Sequence, residues 1–136
     1  YRNLFSVIFT DFHLFDKFYG INEIDIEKVN YWLKKMEIQH KVKYHEGGFT
    51  STDLSTGQRK RLAFIAAMLE DKPILVMDEF AVDQDPQFRK YFYETLLMEL
   101  KAMGKTVIAV THDDHYFHVA DRVLKMDEGK FVKYID

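Results

Sequence analysis

The run Thr52–Phe80, TDLSTGQRKRLAFIAAMLEDKPILVMDEF, decides how the chain is read. Its first part, Ser55-Thr56-Gly57-Gln58, opens a helix. A hydroxyl, backbone N–H groups and the positive end of the helix dipole meet there, which suits an anion. The same residues also make an ordinary N-cap through Ser55 or Thr56. From Thr56 to Leu69 the apolar positions Leu62, Ile65, Ala66 and Leu69 share one face, the pattern of a buried helix. The basic run Arg59-Lys60-Arg61 reads as a solvated helix face. After Pro73, the unbroken apolar run Ile74–Met77 predicts a strand buried on both faces of a parallel sheet. Two acids close it. Asp78, at the strand end, is placed to hold Mg²⁺ or its waters, because magnesium takes a few carboxylates together with substrate phosphates. Glu79 is placed to polarise an attacking water.

Working outward, Asp85-Pro86 supplies an N-cap followed by an N1 proline. The helix it starts runs to about Ala102, with Phe88, Tyr91, Phe92, Thr95 and Leu96 inward. Thr106–Val110 predicts a second buried strand, and His112 just beyond it falls on the same sheet edge as Glu79, within reach of a terminal phosphate. A short helix over Asp113–Ala120 and a hairpin of Val123–Met126 and Phe131–Tyr134 about Glu128-Gly129 complete this side. Upstream, Phe5–Phe9 reads as a strand, TDFHLFDKFYG (10–20) as an aromatic loop or short helix, Asp25–Met36 as a helix, and Gln39–Thr52 as a loop with Gly47-Gly48. Strands alternating with helices predict an α/β fold with a parallel central sheet and right-handed crossovers. Ligands of such sheets bind beyond the carboxyl ends of the strands.

Composition bounds the rest. The chain has 136 residues, enough for one compact domain, with 47% hydrophobic and 30% charged residues. A net charge of −3 gives no reason to expect a nucleic-acid partner. The absence of cysteine excludes disulfides and thiolate zinc sites. No apolar run reaches the ~20 residues of a membrane span. The opening YRNLFSVIF has no initiator Met and reads as mid-domain strand, so the chain is expected to be a fragment of a longer one. Two motifs are decoys. MGKT at 103–106 has Glu99 where a P-loop needs its first glycine, and it lies in a helix-to-strand context, the reverse of that motif. His112, His115 and His118, three apart, spread around a helix and do not converge on zinc.

Taken in order and spacing, LSTGQRKR, ILVMDE, DQDP and VTHD resemble the C-terminal two-thirds of an ABC-type ATPase domain. LSTGQ resembles the signature LSGGQ, with Thr56 in place of its first glycine. ILVMDEF resembles the Walker B strand and AVDQDP the D-loop, whose aspartate falls on Asp85; His112 falls on the switch histidine. VIFTDF resembles the Q-loop, with Thr10 at the glutamine position. FTDFHLFD and DEFAVDQDPQFRKYFY look most like the subgroup that exports cyclic peptides and siderophores.

The resemblance implies a truncated P-loop NTPase of ABC type: a parallel sheet core with a helical signature subdomain over about 12–55, the part bearing Walker A lying upstream of Tyr1. It implies ATP and Mg²⁺ as cofactors, Glu79 as general base, His112 as γ-phosphate sensor, and Asp78 with Thr10 as metal residues. Ser55, Thr56, Gly57, Gln58 and Asp85 become nucleotide-site residues that act across a head-to-tail pair of ATP-binding domains. It further implies transmembrane domains on the same chain, which hold the domain at the cytoplasmic face of the membrane. On this reading the 136 residues alone are inactive. A soluble ABC ATPase outside transport and a degenerate regulatory ABC module remain as alternatives. The coiled-coil ABC ATPases of DNA repair fit poorly, because Phe12–Asp53 has no sustained heptads.

Overall fold

The computed structural model describes residues 2–8, 25–45, 48–51 and 53–135. Thr10 and the whole aromatic segment 10–20 lie outside the described residues. Three strands form the central sheet: β1 (Phe5–Ile8), β4 (Ile74–Asp78) and β5 (Thr106–Val110), ordered β1-β4-β5 with both pairings parallel. Between β1 and β4 come α1 (Ile26–Lys35), the strands β2 (Val42–His45) and β3 (Gly48–Ser51), and α2 (Thr56–Glu70). The helical run Pro86–Ala102 carries the chain from β4 to β5. A 3₁₀ helix (Asp114–Val119) and the antiparallel pair β6 (Val123–Asp127) and β7 (Lys130–Ile135) follow. Glu128 and Gly129 join that pair with φ of 49° and 76°, the two positive values a type I′ turn requires.

Helix α1 starts where Asp25 accepts the N–H groups of Glu27 and Lys28, and it buries Val29, Trp32 and Leu33. The Trp32 ring meets Phe64 of α2 edge-on at 5.5 Å, and from there ring contacts pass to Phe80 (5.9 Å) and Phe92 (4.9 Å). Aromatic pairs at these separations add to simple area burial. This chain of rings joins the helical region to the layer under the sheet. Leu75 and Met77 of β4 point into the same core at 1% exposure each.

Four expectations need correction. The 39–52 loop contains the antiparallel pair β2–β3, with Val42 opposite Ser51; buried Val42 alternates with exposed Lys43, a strand period hidden by the polar composition. Helix α2 is covered on more than one side: Phe64, Ala67 and Met68 are buried beside Leu62 and Ile65, while Ala66 and Leu69 are half-buried. The Pro86–Ala102 run contains a π-helical turn at Phe92–Leu96, closed by the Leu97 N–H bonding to Phe92 O. The extra residue rotates the helix, so Tyr93 turns inward and Thr95 outward. Finally, β4 is fully covered on one face only, and β5 has no fully buried residue, Val107 being half-buried and Ala109 exposed. Leu75 and Met77 are buried, whereas Ile74 and Val76 are half-buried, and β5 is an edge strand. Phe5, Val7, Ile108 and Val110, which share the other face by register, stay 39–49% exposed, because no described helix packs there.

Candidate functional site

The site gathers at the carboxyl end of the sheet, where an open parallel fold binds its ligands. Asp78 ends β4 opposite Val110, and the Glu79 N–H continues the ladder to Val110 O at 2.9 Å. The chain then turns sharply, with Glu79 at φ 52°. That left-handed conformation, which costs a non-glycine residue about 1–2 kcal/mol, swings its carboxylate toward the segment after β5. There His112 Nε2 lies 3.2 Å from Glu79 Oε1, with the imidazole 90% exposed. The base and sensor candidates thus meet as an open pair at the sheet edge.

The segment that carries His112 is braced from the π-helical turn. Tyr93 Oη lies 2.8 Å from Thr111 Oγ1 and donates to Asp113 Oδ2 at 3.0 Å, so the phenol grips both neighbours of the histidine. Burial, with Asp113 beside it, pushes that phenol up to about 12. Its ring stacks on Tyr116 at 4.4 Å.

A second group surrounds the start of α2. Ser55 Oγ accepts the Gln58 N–H at 3.2 Å, and Gln58 Oε1 accepts the Ser55 N–H at 2.9 Å, a reciprocal capping box. This arrangement accounts for both residues locally and leaves Ser55 and Thr56 exposed at the helix tip. Gly57 has a different reason to be glycine. A Cβ there would stand 2.5 Å from Asp83 O, so the turn after β4 presses directly on this residue. Gln84 fastens the contact by donating to Gly57 O at 3.0 Å.

The basic run after Gln58 is not a solvated face. Arg59 is exposed, but Lys60 and Arg61 are 1% and 9% exposed. Arg61 donates to Gln84 Oε1 (2.9 Å), to Met36 O (3.2 Å) and to Asp85 Oδ2 (3.3 Å), and its guanidinium lies 3.7 Å from the centre of the Phe88 ring. Lys60 Nζ reaches Glu79 O at 2.9 Å and Asp83 Oδ2 at 2.6 Å. Asp85 caps the following helix by accepting the Phe88 N–H at 2.9 Å. That bond, with the Arg61 charge, holds the Asp85 carboxyl below the usual carboxylate range.

Of the residues singled out from sequence, Asp78, Glu79 and His112 share one edge. Ser55, Thr56, Gly57, Gln58 and Asp85 cluster where α2 meets the turn after β4. Thr10 lies outside the described residues. Sequence reasoning missed Lys60, Arg61, Gln84 and Tyr93. Period alone marks the first two, since Gly57, Lys60, Arg61 and Phe64 recur at i, i+3, i+4 and i+7. Among the described residues no group of three or more His, Cys, Asp or Glu forms a metal cage. Asp78 fits magnesium only in the mode that leaves most of the ligands to phosphates and water.

This arrangement defines a P-loop-type nucleotide-binding fold of the α/β class. Residues 15–116 match the family described as "AAA domain, putative AbiEii toxin, Type IV TA system". The chain belongs to this AAA-domain family and has the α/β fold of the ABC ATPases. It is 47% identical over 136 residues to the ATP-binding protein SyrD of Pseudomonas syringae pv. syringae, an alignment covering 97% of this chain and 24% of that protein. Among solved structures it resembles cbiO1 from Clostridium perfringens, part of the ABC transporter complex cbiONQ. That likeness has a TM-score of 0.72 and 26% identity over 98% of this chain and 57% of the other. A bacterial Atm1-family ABC exporter with ATP bound shares the fold at a TM-score of 0.78 and 21% identity, over 98% of this chain and 25% of the exporter. The chain therefore spans about a quarter of the length of SyrD. Among the described residues no helix is long and apolar enough to cross a membrane.

Proposed function

We propose that these 136 residues form the signature-bearing, catalytic part of an ABC exporter's ATP-hydrolysing domain, one that powers export of a small peptide-like or siderophore substrate. The observation that carries the reading is the Glu79–His112 pair, 3.2 Å apart at the carboxyl edge of a parallel sheet. The similarity to SyrD along nearly the whole chain supports it, as do the export-subgroup stretches in the sequence.

In this reading a P-loop supplied from outside these residues holds ATP, and a second ATP-binding domain docks head to tail. Ser55, Thr56, Gly57 and Gln58 offer the tip of α2 to the γ-phosphate held by that second domain. Glu79 orients a water and takes its proton as the oxygen attacks phosphorus. The bond from phosphorus to the β–γ bridging oxygen breaks, and ADP and phosphate leave. The exposed imidazole of His112 meets the γ-phosphate beside Glu79. Asp85 lies at the dimer seam, joined to α2 through Arg61. Asp78, with Thr10, would hold Mg²⁺, which supplies charge neutralisation on the phosphates. Transmembrane domains outside these residues hold the assembly at the cytoplasmic face of the membrane.

The test is ATP turnover and nucleotide titration of the 136-residue chain beside the complete protein. The complete protein should hydrolyse ATP, and the chain alone should neither bind it tightly nor turn it over. Robust Mg-dependent hydrolysis by the chain alone would refute the reading. A second reading, a soluble ATPase outside transport, draws on the AAA-type family match. Recovery of the complete protein in the soluble rather than the membrane fraction would favour it.

A further inference from the structure

We propose that Lys60 is a positioning residue for Glu79, tying the signature helix to the general base within one subunit. The inference rests on the reading of Glu79 given above. Lys60 lies in the second turn of α2, just behind the phosphate-facing tip, and its side chain is 1% exposed. Its ammonium spans from that helix to the turn after β4, donating to Glu79 O at 2.9 Å and pairing with Asp83 Oδ2 at 2.6 Å. Asp83 O is the atom that presses on Gly57, so the same turn touches α2 twice.

Burying an ammonium is unfavourable, and an apolar side chain of similar volume would serve stability as well or better. What the ammonium adds is a fixed donor at one atom. Glu79 sits in the left-handed region at φ 52°, so its carbonyl is turned out of the sheet ladder toward α2, where Val82 N–H also reaches it at 3.2 Å. On the other side the Glu79 N–H holds Val110 O at 2.9 Å. With both ends of the residue fixed, its side chain projects to His112. Lys60 supplies the end that belongs to the signature helix. A shift of α2 on meeting the partner's nucleotide therefore moves the backbone of the base.

The test is steady-state ATP hydrolysis by the complete protein carrying Lys60→Met, which keeps the stem and removes the donor. A reacting group displaced by about 1 Å costs on the order of a hundredfold in rate. The expected loss is roughly ten- to a hundredfold in kcat, with KM for ATP within about twofold. The deciding readout is the same substitution in a Glu79→Gln background, where residual turnover should fall no further, because the residue it positions is already disabled. A general packing role would lower both backgrounds equally and overturn the proposal, as would wild-type kcat in Lys60→Met. Should Lys60→Met fail to fold, Asp83→Asn removes the partner that orients the ammonium from a partly exposed site. It should cost several-fold in kcat in the wild-type background and nothing in Glu79→Gln; unchanged kcat overturns the proposal. Wild-type turnover in Glu79→Gln alone would sink the base assignment itself, an outcome distinct from low turnover there with full activity in Lys60→Met.

Discussion

Arg61→Met is the most informative perturbation of the scaffold. Arg61 ties α2 to two stretches distant in sequence: the end of α1 through Met36 O, and the turn after β4 through the side chains of the adjacent Gln84 and Asp85, the second of which caps the next helix. Methionine keeps the stem and some contact with Phe88, but it leaves Gln84 Oε1 and Met36 O without this donor. A buried acceptor deprived of its partner costs about 1–3 kcal/mol. The Asp85 contact involves a carboxylate 59% exposed and is worth at most about 1 kcal/mol. Removing the desolvation cost of the guanidinium offsets part of the loss. The net is about 3 kcal/mol, which for a chain of this size lowers the melting midpoint by roughly 10 °C. Trp32 is the sole tryptophan, 2% exposed against Phe64, so its fluorescence in a thermal or urea titration reports the α1–α2 core directly. A midpoint within about 2 °C of wild type would refute the reasoning, and would mean that the Arg61 bonds are matched by water in the unfolded chain.

Gly57→Ala should destabilise by about 1–2 kcal/mol, since the strain of overpacking against Asp83 O outweighs the helical preference of alanine. It should lower turnover in the complete protein as well; a variant more stable than wild type by urea titration would contradict the clash. Asp71 and Asp85 both have lowered carboxyl pKa values, the first from its hydrogen bond with Lys105 and the second from the Phe88 N–H. Groups lowered on folding stabilise above their ordinary value near 3.8 and lose that contribution as pH falls through the folded value. Asp71→Asn with Asp85→Asn should therefore flatten the acid limb of the stability profile below about pH 4, by under ~1 kcal/mol per site because both side chains are exposed. An unchanged acid limb in urea titrations across pH would count against both interactions.

Much of this site is legible from local chemistry. Ser55 and Gln58 are three apart at a helix start, Asp85 precedes a proline, and Glu79 and His112 each follow an apolar strand run. Each signal lies within a few residues of what it determines, and the parallel register brings the last two together. What escaped depends on contacts distant in sequence. A lysine and an arginine beside a third basic residue look solvated until the turn after β4 presents Glu79 O, Asp83 and Gln84 to them. The π-helical turn leaves no local mark, yet it exchanges Thr95 for Tyr93 and so creates the brace on Thr111 and Asp113. The second face of β4 and β5 reads as buried because Val, Ile and Leu suit a covered sheet, and composition does not say which layer does the covering.

The central claim is that Glu79 is the base of an ATPase whose ATP is sandwiched between two ATP-binding domains. The most direct measurement is the mass and nucleotide content of the complete protein's Glu79→Gln variant after incubation with Mg-ATP, by light scattering on a sizing column with chromatography of the released nucleotide. The account predicts an ATP-loaded closed pair of ATP-binding domains and turnover reduced by about a hundredfold or more. Turnover near wild type, with ADP as the only bound nucleotide and no closed pair, would contradict it.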